Sequence, residues 1–540
     1  MFKEMFPREL IWLNFKVKLT LYEKGLKMRS INSIKNITIS ITTQIIIILL
    51  GFISRKVFLD SLGTDYLGVN GILTNVLSMI ALVESGIGTC ITYFLYKPLA
   101  ENDKPKIIAL IQLYKKAYRT LAVVVLLLSV AFYPFLDDIM KGTEGVSYIG
   151  IAYFIFVVKN MISYFNAHKV ALIVADQSEY VLTRINIFFH ILSTISKIIV
   201  LVLTKNYLLF LLIEIVIHLK QTIYNSWIVE KKYNYIKTKE KYFIKKNEKE
   251  ELVKNVKASF LHNLGTYAVF GTDNILISSF IGVVTVGLYS NYLMVIAQLG
   301  SLLNPILGGI NASVGNLVAK EGNHKTYSVF EVIYLMNFWL YSIGVIFLYN
   351  ILEPLLNIWL GKGYLLDSLT FMVLLINFYI TGMRISIITF KLTGGIFAQD
   401  KYMPLLEAVI NLGTSLLLVN YLGLSGIFIG TTISTLSIVF WNAPRLVFKH
   451  IFNKSVKLYF QKYIYFALLT IITCFITTKI CNYVVIDNSF ISLVIKGILC
   501  LIVPNVIYLG LFYKKSEFQY IKNFIGKIPF LVKVRVRSQI

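Results

Sequence analysis

The sequence predicts an all-α polytopic membrane protein of about 14 transmembrane helices, built as two six-helix repeats plus two C-terminal helices. Three observations lead there. First, the 540 residues are 56% hydrophobic with a mean hydropathy of +0.70, whereas soluble chains reach roughly half at most and break it up with charge. The apolar residues form runs of about 20, the length a helix needs to cross about 30 Å of hydrocarbon, and the alternation of a membrane barrel is absent. Second, Lys and Arg crowd into alternate connectors. Third, one stretch returns in weaker form 219 residues later.

The spans read near 36–54, 67–95, 119–136, 148–168, 184–203, 206–228, 258–280, 285–314, 328–350, 367–389, 404–421, 424–442, 462–483 and 490–512. With the N-terminus inside, tails and connectors on the cytoplasmic side collect about 43 of the 53 Lys and Arg, the bias that fixes orientation in a membrane. Both termini are therefore expected in the cytoplasm. The same distribution removes the nucleic-acid reading that a net charge of +25 would otherwise invite. The expected units are a cytoplasmic extension at 1–35, a six-helix bundle at 36–229, a basic linker at 230–257, a second bundle at 258–442, two further spans at 443–513 and a basic tail at 514–540. Residues 1–27 are either a basic amphipathic extension or an overlong start before Met28. Cys90, Cys474, Cys481 and Cys500 all fall in apolar stretches without C-x-x-C spacing, so they read as buried small hydrophobes and neither a disulfide nor a metal site is expected.

The repeat sets Gly63 on Gly282, Gly68 on Gly287, Val76 on Val295, Ile87 on Ile306 and Ala100 on Ala319. In each copy an apolar helix ends, two glycines five apart turn the chain, and a long apolar helix follows. Six spans per repeat is an even number, so both copies enter from one side and are related by an axis along the membrane normal. Such a plan suggests transport, because a site between the copies can be exposed to either side by rocking one on the other.

Polar residues inside spans cost a few kcal/mol each on insertion scales and belong against other helices or a wet cavity. They form stripes at spacings of three and four: Lys159, Ser163 and Asn166; Asn186, His190, Ser193 and Lys197; Glu214, His218, Gln221 and Asn225; Asn377, Thr381, Arg384 and Lys391; Glu407, Asn411 and Thr414. Two readings stand for these stripes: the lining of a central polar cavity, or hydrogen bonds that glue helices together. Lys159 and Lys197 lie too deep to snorkel easily, and Arg384 lies toward the cytoplasmic third. They either meet an anionic substrate or pair with Glu84, Glu214 or Glu407. Arg55 ends span one, and Asp273, in span seven, falls beside the residue that the repeat aligns with it. The candidate substrate-binding cations are thus Lys159, Lys197, Arg384 and Arg55; the candidate ion-coupling or gating carboxylates are Asp273, Glu214 and Glu84.

No G-x-x-x-x-G-K-[ST], H-E-x-x-H or nucleophile elbow occurs, and the outer loops are short. An enzyme is not expected, nor a cofactor.

Three stretches carry a family likeness: FLDSLGTDYLGVNGI with its following ESGIG, YKPLAENDKPKI, and GGIFAQDKYMPLLEAVINLGTSLLLVNYLGLSGIFIGTTIST at 394–435. Over 28–515 the chain resembles the O-antigen, capsular and exopolysaccharide flippases of the multidrug/oligosaccharidyl-lipid/polysaccharide exporter superfamily. The resemblance implies two six-helix bundles around a cavity, two further helices, a place in the cell membrane, and movement of a polyprenyl-diphosphate-linked oligosaccharide from the inner to the outer leaflet, alongside a polysaccharide polymerase and glycosyltransferases. It also implies a cationic cavity and an ion gradient as drive; no family motif fixes the intramembrane residues, which rest on the stripes. Within the same superfamily the alternative is a cation-coupled multidrug efflux carrier; a membrane glycosyltransferase or polymerase is disfavoured by the short outer loops.

Overall fold

The computed structural model describes residues 46–84, 87–140, 146–176, 178, 180–308, 314, 317–318, 321–396, 398–400, 402–484 and 489–523. The expected N-terminal extension, the start of span one, the end of span eight and most of the tail lie outside them. Among the described residues all regular structure is helical. The principal helices are α1 (46–80), α2 (Ile87–Glu101), α3 (Lys104–Phe132), α4 (Ile149–Ala175), α5 (Tyr180–Thr204), α6 (Tyr207–Lys232), α7 (Lys246–Phe270), α8 (Asp273–Phe280), α9 (Val283–Gly308), α10 (Asn323–Leu360), α11 (Ser368–Met383), α12 (Ile385–Thr393), α13 (Met403–Leu422), α14 (Leu424–Ser437), α15 (Val439–Val447), α16 (Lys457–Tyr483) and α17 (Ser489–Phe512).

Eleven of the described segments are long and apolar enough to cross a membrane, and they coincide one for one with expected spans three to six and eight to fourteen. The protein is a polytopic all-α membrane protein. The other three expected spans fall on α1, on its continuation through α2, and on α7 with α8; α1 carries Arg55, Lys56 and Asp60 close together, and α7 begins in the charged linker, so neither matches a long uncharged window.

Local sequence sets the helix starts. Asp103 accepts the Lys106 N–H at 3.1 Å with Pro105 just inside α3, Asn206 accepts the Leu209 N–H at 3.0 Å, and Asp367 accepts the Thr370 N–H at 2.9 Å. Interruptions matter more. Span two breaks after a 3-10 turn at Ala81–Glu84, span seven between Phe270 and Asp273, span ten at Arg384, and span twelve at Ile438. Each break frees backbone groups that need partners where no water is available. At Arg384 the buried Asn337 supplies one, its Nδ2 donating to the carbonyls of Gly382 and Met383 at 3.0 and 3.1 Å.

Gly63 and Gly282, which the 219-residue offset aligns, both adopt left-handed backbone, with φ of 85° and 138°. Five residues on, the chain crosses itself. A Cβ on Gly68 would lie 2.1 Å from the Val283 carbonyl oxygen, and one on Gly287 would lie 2.5 Å from that of Thr64. Val283 is Thr64 displaced by the same offset, so the contact is reciprocal: α1 and α9 cross backbone to backbone, and only glycine fits at either position.

Around that crossing, α4 packs on α3 and α6, and α5 on α6, in the N-terminal part; α13 packs on α14 and α7, and α11 on α14, in the C-terminal part. α16 and α17 lie on α10, fastened by Thr470 donating to Ser342 at 2.9 Å and Trp339 donating to Asn505 at 2.8 Å, over stacked rings such as Phe338 and Phe466, 4.2 Å apart.

Candidate functional site

Beside the α1–α9 crossing lies a cleft that belongs mainly to the N-terminal part. Its walls are α1, α4, α5 and α6, with Met294 and Gln298 of α9 closing one of its cavities. Three adjoining cavities make it up, of about 420, 350 and 240 Å3; the first shares Ile47 and His190 with the second, and Lys159 and His218 with the third. Spacing of three and four along α5 brings Asn186, His190, Ser193 and Lys197 to this cleft, and the same spacing on α6 brings Glu214, His218 and Gln221. α4 contributes Lys159 and Ser163.

Glu214 is the electrostatic centre. Its Oε1 lies 2.5 Å from Lys159 Nζ and its Oε2 3.1 Å from Lys197 Nζ, one ammonium on each oxygen. Arg55 lines the same cleft and donates to Ser290 Oγ of α9 at 3.0 Å. Three cations against one carboxylate leave a formal charge of +2 in a space walled by apolar helices. Lys197 also lies 5.0 Å from the ring centre of Phe210. Near the third cavity, Ser163 Oγ and His218 Nε2 are 3.2 Å apart.

Arg384 is placed elsewhere. It is buried in the C-terminal part, with NH1 3.7 Å from Glu407 Oε1, and does not line these three cavities. Three other polar groups of spans ten and eleven bond to α14, Asn377 donating to the Phe428 carbonyl at 2.9 Å, Asn411 to Thr431 at 3.0 Å, and Glu407 accepting from Thr435 at 3.1 Å, while Lys391 pairs with Asp400.

Glu84 closes the 3-10 turn of span two and accepts from Tyr118 at 2.8 Å, among Tyr114, Tyr118 and Tyr164. Asp273 opens α8 and is buried, and its Oδ1 has no hydrogen-bond partner. Among the described residues no ion pair joins it to Arg55. Glu84, Asp273 and Arg384 thus all stand at helix interruptions.

Beyond Arg55, sequence reasoning passed over what α1 and α9 bring to the cleft: Ser54 and Asn70 from α1, Met294 and Gln298 from α9. Ile47, Gly51 and Ser54 do recur at helical spacing, a signal that points to this face; Met294 and Gln298 look like ordinary span residues until the crossing brings them opposite. A separate, almost wholly apolar cavity of about 570 Å3 lies among α10, α11 and α16, walled by residues such as Val345, Ile376, Ala467 and Phe475.

No protein-family model matches the chain, and no curated protein does. Solved structures do. A lipid II flippase, MurJ, in an inward closed conformation superposes with a TM-score of 0.63 at 12% identity, over 88% of this chain and 99% of that one. An inward-facing multidrug resistance MATE family transporter of the MOP superfamily superposes with a TM-score of 0.56 at 13% identity, over 72% of this chain and 91% of that one. At these identities the likeness is one of fold. The chain shares the fold of a lipid II flippase and of a MATE family transporter.

Proposed function

We propose that the protein is a flippase that moves a polyprenyl-diphosphate-linked oligosaccharide from the cytoplasmic to the outer leaflet by alternating access, for capsular or exopolysaccharide export. One observation carries this reading: the cleft holding Lys159, Lys197 and Arg55 with a formal surplus of positive charge. A lipid diphosphate needs charge-assisted donors for its head in a wet cleft while its tail stays in hydrocarbon. The apolar cavity beside α10, α11 and α16 offers room for a hydrocarbon chain. A carrier of cationic drugs would be repelled by the same surplus.

In this reading the two bundles at 36–229 and 258–442 are the moving halves, 443–513 adds two spans, and both termini are cytoplasmic in the cell membrane. The Gly68–Gly287 crossing then closes the outer side, and the cleft faces inward. Arg384, paired with Glu407, serves the substrate only in a state that opens this pair. Asp273, unpartnered at a helix break, is the coupling carboxylate, since half-helix ends in membranes are where small ions bind; Glu84, at the break of span two, is the second candidate. Asp273→Asn should shift the sodium or pH dependence of transport, and an unchanged dependence rejects the assignment.

The main test uses proteoliposomes loaded with undecaprenyl diphosphate bearing a fluorescent disaccharide. The wild type is expected to move the lipid between leaflets. Lys197→Gln should bind it about 10–100-fold more weakly, the scale of a hydrogen bond to a charged group, and Lys197→Arg should partly restore it. Wild-type protein that leaves the lipid where it started contradicts the proposal.

A further inference from the structure

Beside the triad formed by Lys159, Glu214 and Lys197, the first cavity is lined by two amides whose orientation is fixed. Asn186 Oδ1 accepts from Gln221 Nε2 at 2.7 Å and from Asn225 Nδ2 at 2.8 Å. Asn225 is buried at 6% exposure, so this side of the network is anchored in the α5–α6 interface. A carboxamide oxygen has two lone pairs, and both are taken. The Asn186 amide therefore cannot flip without losing both bonds. Its Nδ2 hydrogens and the Gln221 Oε1 are left, and among the described residues no protein group takes either of them.

The cavity thus presents a donor and an acceptor side by side, held still. Its single carboxylate, Glu214, spends both oxygens on lysines. What such a pair recognises is a neutral group that both accepts and donates: a sugar hydroxyl or an acetamido group. Phe189 adds an apolar ring to the same wall, suited to the C–H face of a pyranose. Gln221 stands seven residues from Glu214 on α6, about 10 Å along the axis at 1.5 Å per residue, a reach from the cations that suits a disaccharide better than one ring.

We propose that Asn186 and Gln221 form a sugar-reading subsite that recognises uncharged hydroxyl or acetamido groups on the first sugars beyond the diphosphate. This rests on the diphosphate-lipid reading above and extends it from the charged head to the glycan.

The test is isothermal titration of the purified full chain in detergent with three probes: undecaprenyl diphosphate without sugar, the same lipid carrying an N,N′-diacetylchitobiosyl group, and the same carrying a cellobiosyl group. The wild type should bind at least one glycosylated lipid about tenfold more tightly than the bare one, the worth of one or two net hydrogen bonds. Gln221→Leu should keep the bare-lipid affinity and lose that increment. Asn186→Asp keeps both accepted bonds but replaces the cavity-facing NH2 by an oxygen, so an acetamido carbonyl loses its donor and the chitobiosyl-to-bare ratio should fall to about one, while a hydroxyl can turn to donate to the carboxylate. Preference for the chitobiosyl lipid assigns the pair to the acetamido group, and equal preference assigns it to hydroxyls; both support the subsite. Bare-lipid binding with an unchanged glycosylated-to-bare ratio in both variants overturns the subsite and leaves the flippase reading intact. Failure of the wild type to bind any of the three overturns both.

Discussion

Glu214 decides how much charge the cleft offers. With one ammonium on each oxygen it neutralises half of the two lysines' charge and holds both in place. On the proposed function, a diphosphate entering the cleft competes with it for the same donors, and the carboxylate is the stand-in that the substrate displaces and that recovers the lysines on release. Glu214→Gln removes the competitor. The variant should bind undecaprenyl diphosphate more tightly, by roughly tenfold, the scale of a charge-assisted hydrogen bond made available to the ligand, and should export more slowly because release is no longer assisted. Titration with the bare lipid checks the first outcome and the flipping assay the second; weaker binding would mean that Glu214 chiefly organises the site. The stripe that delivers this residue was legible, since spacing of three and four fixes which side of a helix is polar. What that side meets was not. Most residues of the stripes of spans four to six line the cleft, whereas Asn377, Asn411 and Glu407, on the equally periodic stripes of spans ten and eleven, are consumed by Phe428, Thr431 and Thr435 of the packed α14. Periodicity carries no information about the neighbour.

At the scale of elements, the interruptions and the crossing share one cause: long apolar helices change direction or approach closely only where a residue permits it. Gly63 and Gly282 could be aligned from sequence, and both take the left-handed backbone that a turn asks of glycine. That Gly68 and Gly287 would meet could not be read, because a repeat fixes the plan of each copy and leaves their relative placement open. The crossing makes a sharp prediction. A methyl at Gly68 would sit 2.1 Å from the Val283 oxygen, against an ordinary contact of 3.4 Å or more, so Gly68→Ala forces α1 and α9 apart and favours the state open at this end. In a background with the four cysteines replaced, Asn70→Cys should then react roughly tenfold faster with a membrane-impermeant maleimide added outside, corresponding to a population shift of about 1.4 kcal/mol. Equal labelling with and without Gly68→Ala would mean that the crossing does not gate access.

For the whole molecule, the question is whether this crossing is a permanent seam or one face of a cycle. The two parts touch at both ends: at the Gly63 end Arg55 donates to Ser290 at 3.0 Å, Trp359 Nε1 to the Phe52 carbonyl at 3.2 Å with the two rings 4.6 Å apart, and residues 136–139 touch α8, while toward the other end α2 and the 81–84 turn pack on α7 and Lys106 pairs with Glu248 at 2.6 Å. Deeper in, Tyr267 donates to the Asn75 carbonyl at 2.5 Å, joining α7 to span two. The two parts are therefore joined by a hinge-like seam along one edge and by the crossing at the Gly63 end, an arrangement that rocking of one half could invert. Gly71 gives a way to lock it. A Cβ there would lie 3.3 Å from Val286 Cγ1, so a Gly71→Cys and Val286→Cys pair brings two Cβ atoms near the roughly 3.5–4.5 Å separation a disulfide spans. Oxidation of the cysteine-replaced double variant, followed by protease cleavage at a site inserted in the 234–245 linker, should leave the two fragments joined on a non-reducing gel. Lipid movement in proteoliposomes should stop in step with the cross-linked fraction and return on reduction. Quantitative cross-linking with undiminished movement would show that the halves need not part here, and alternating access through this end would have to be abandoned.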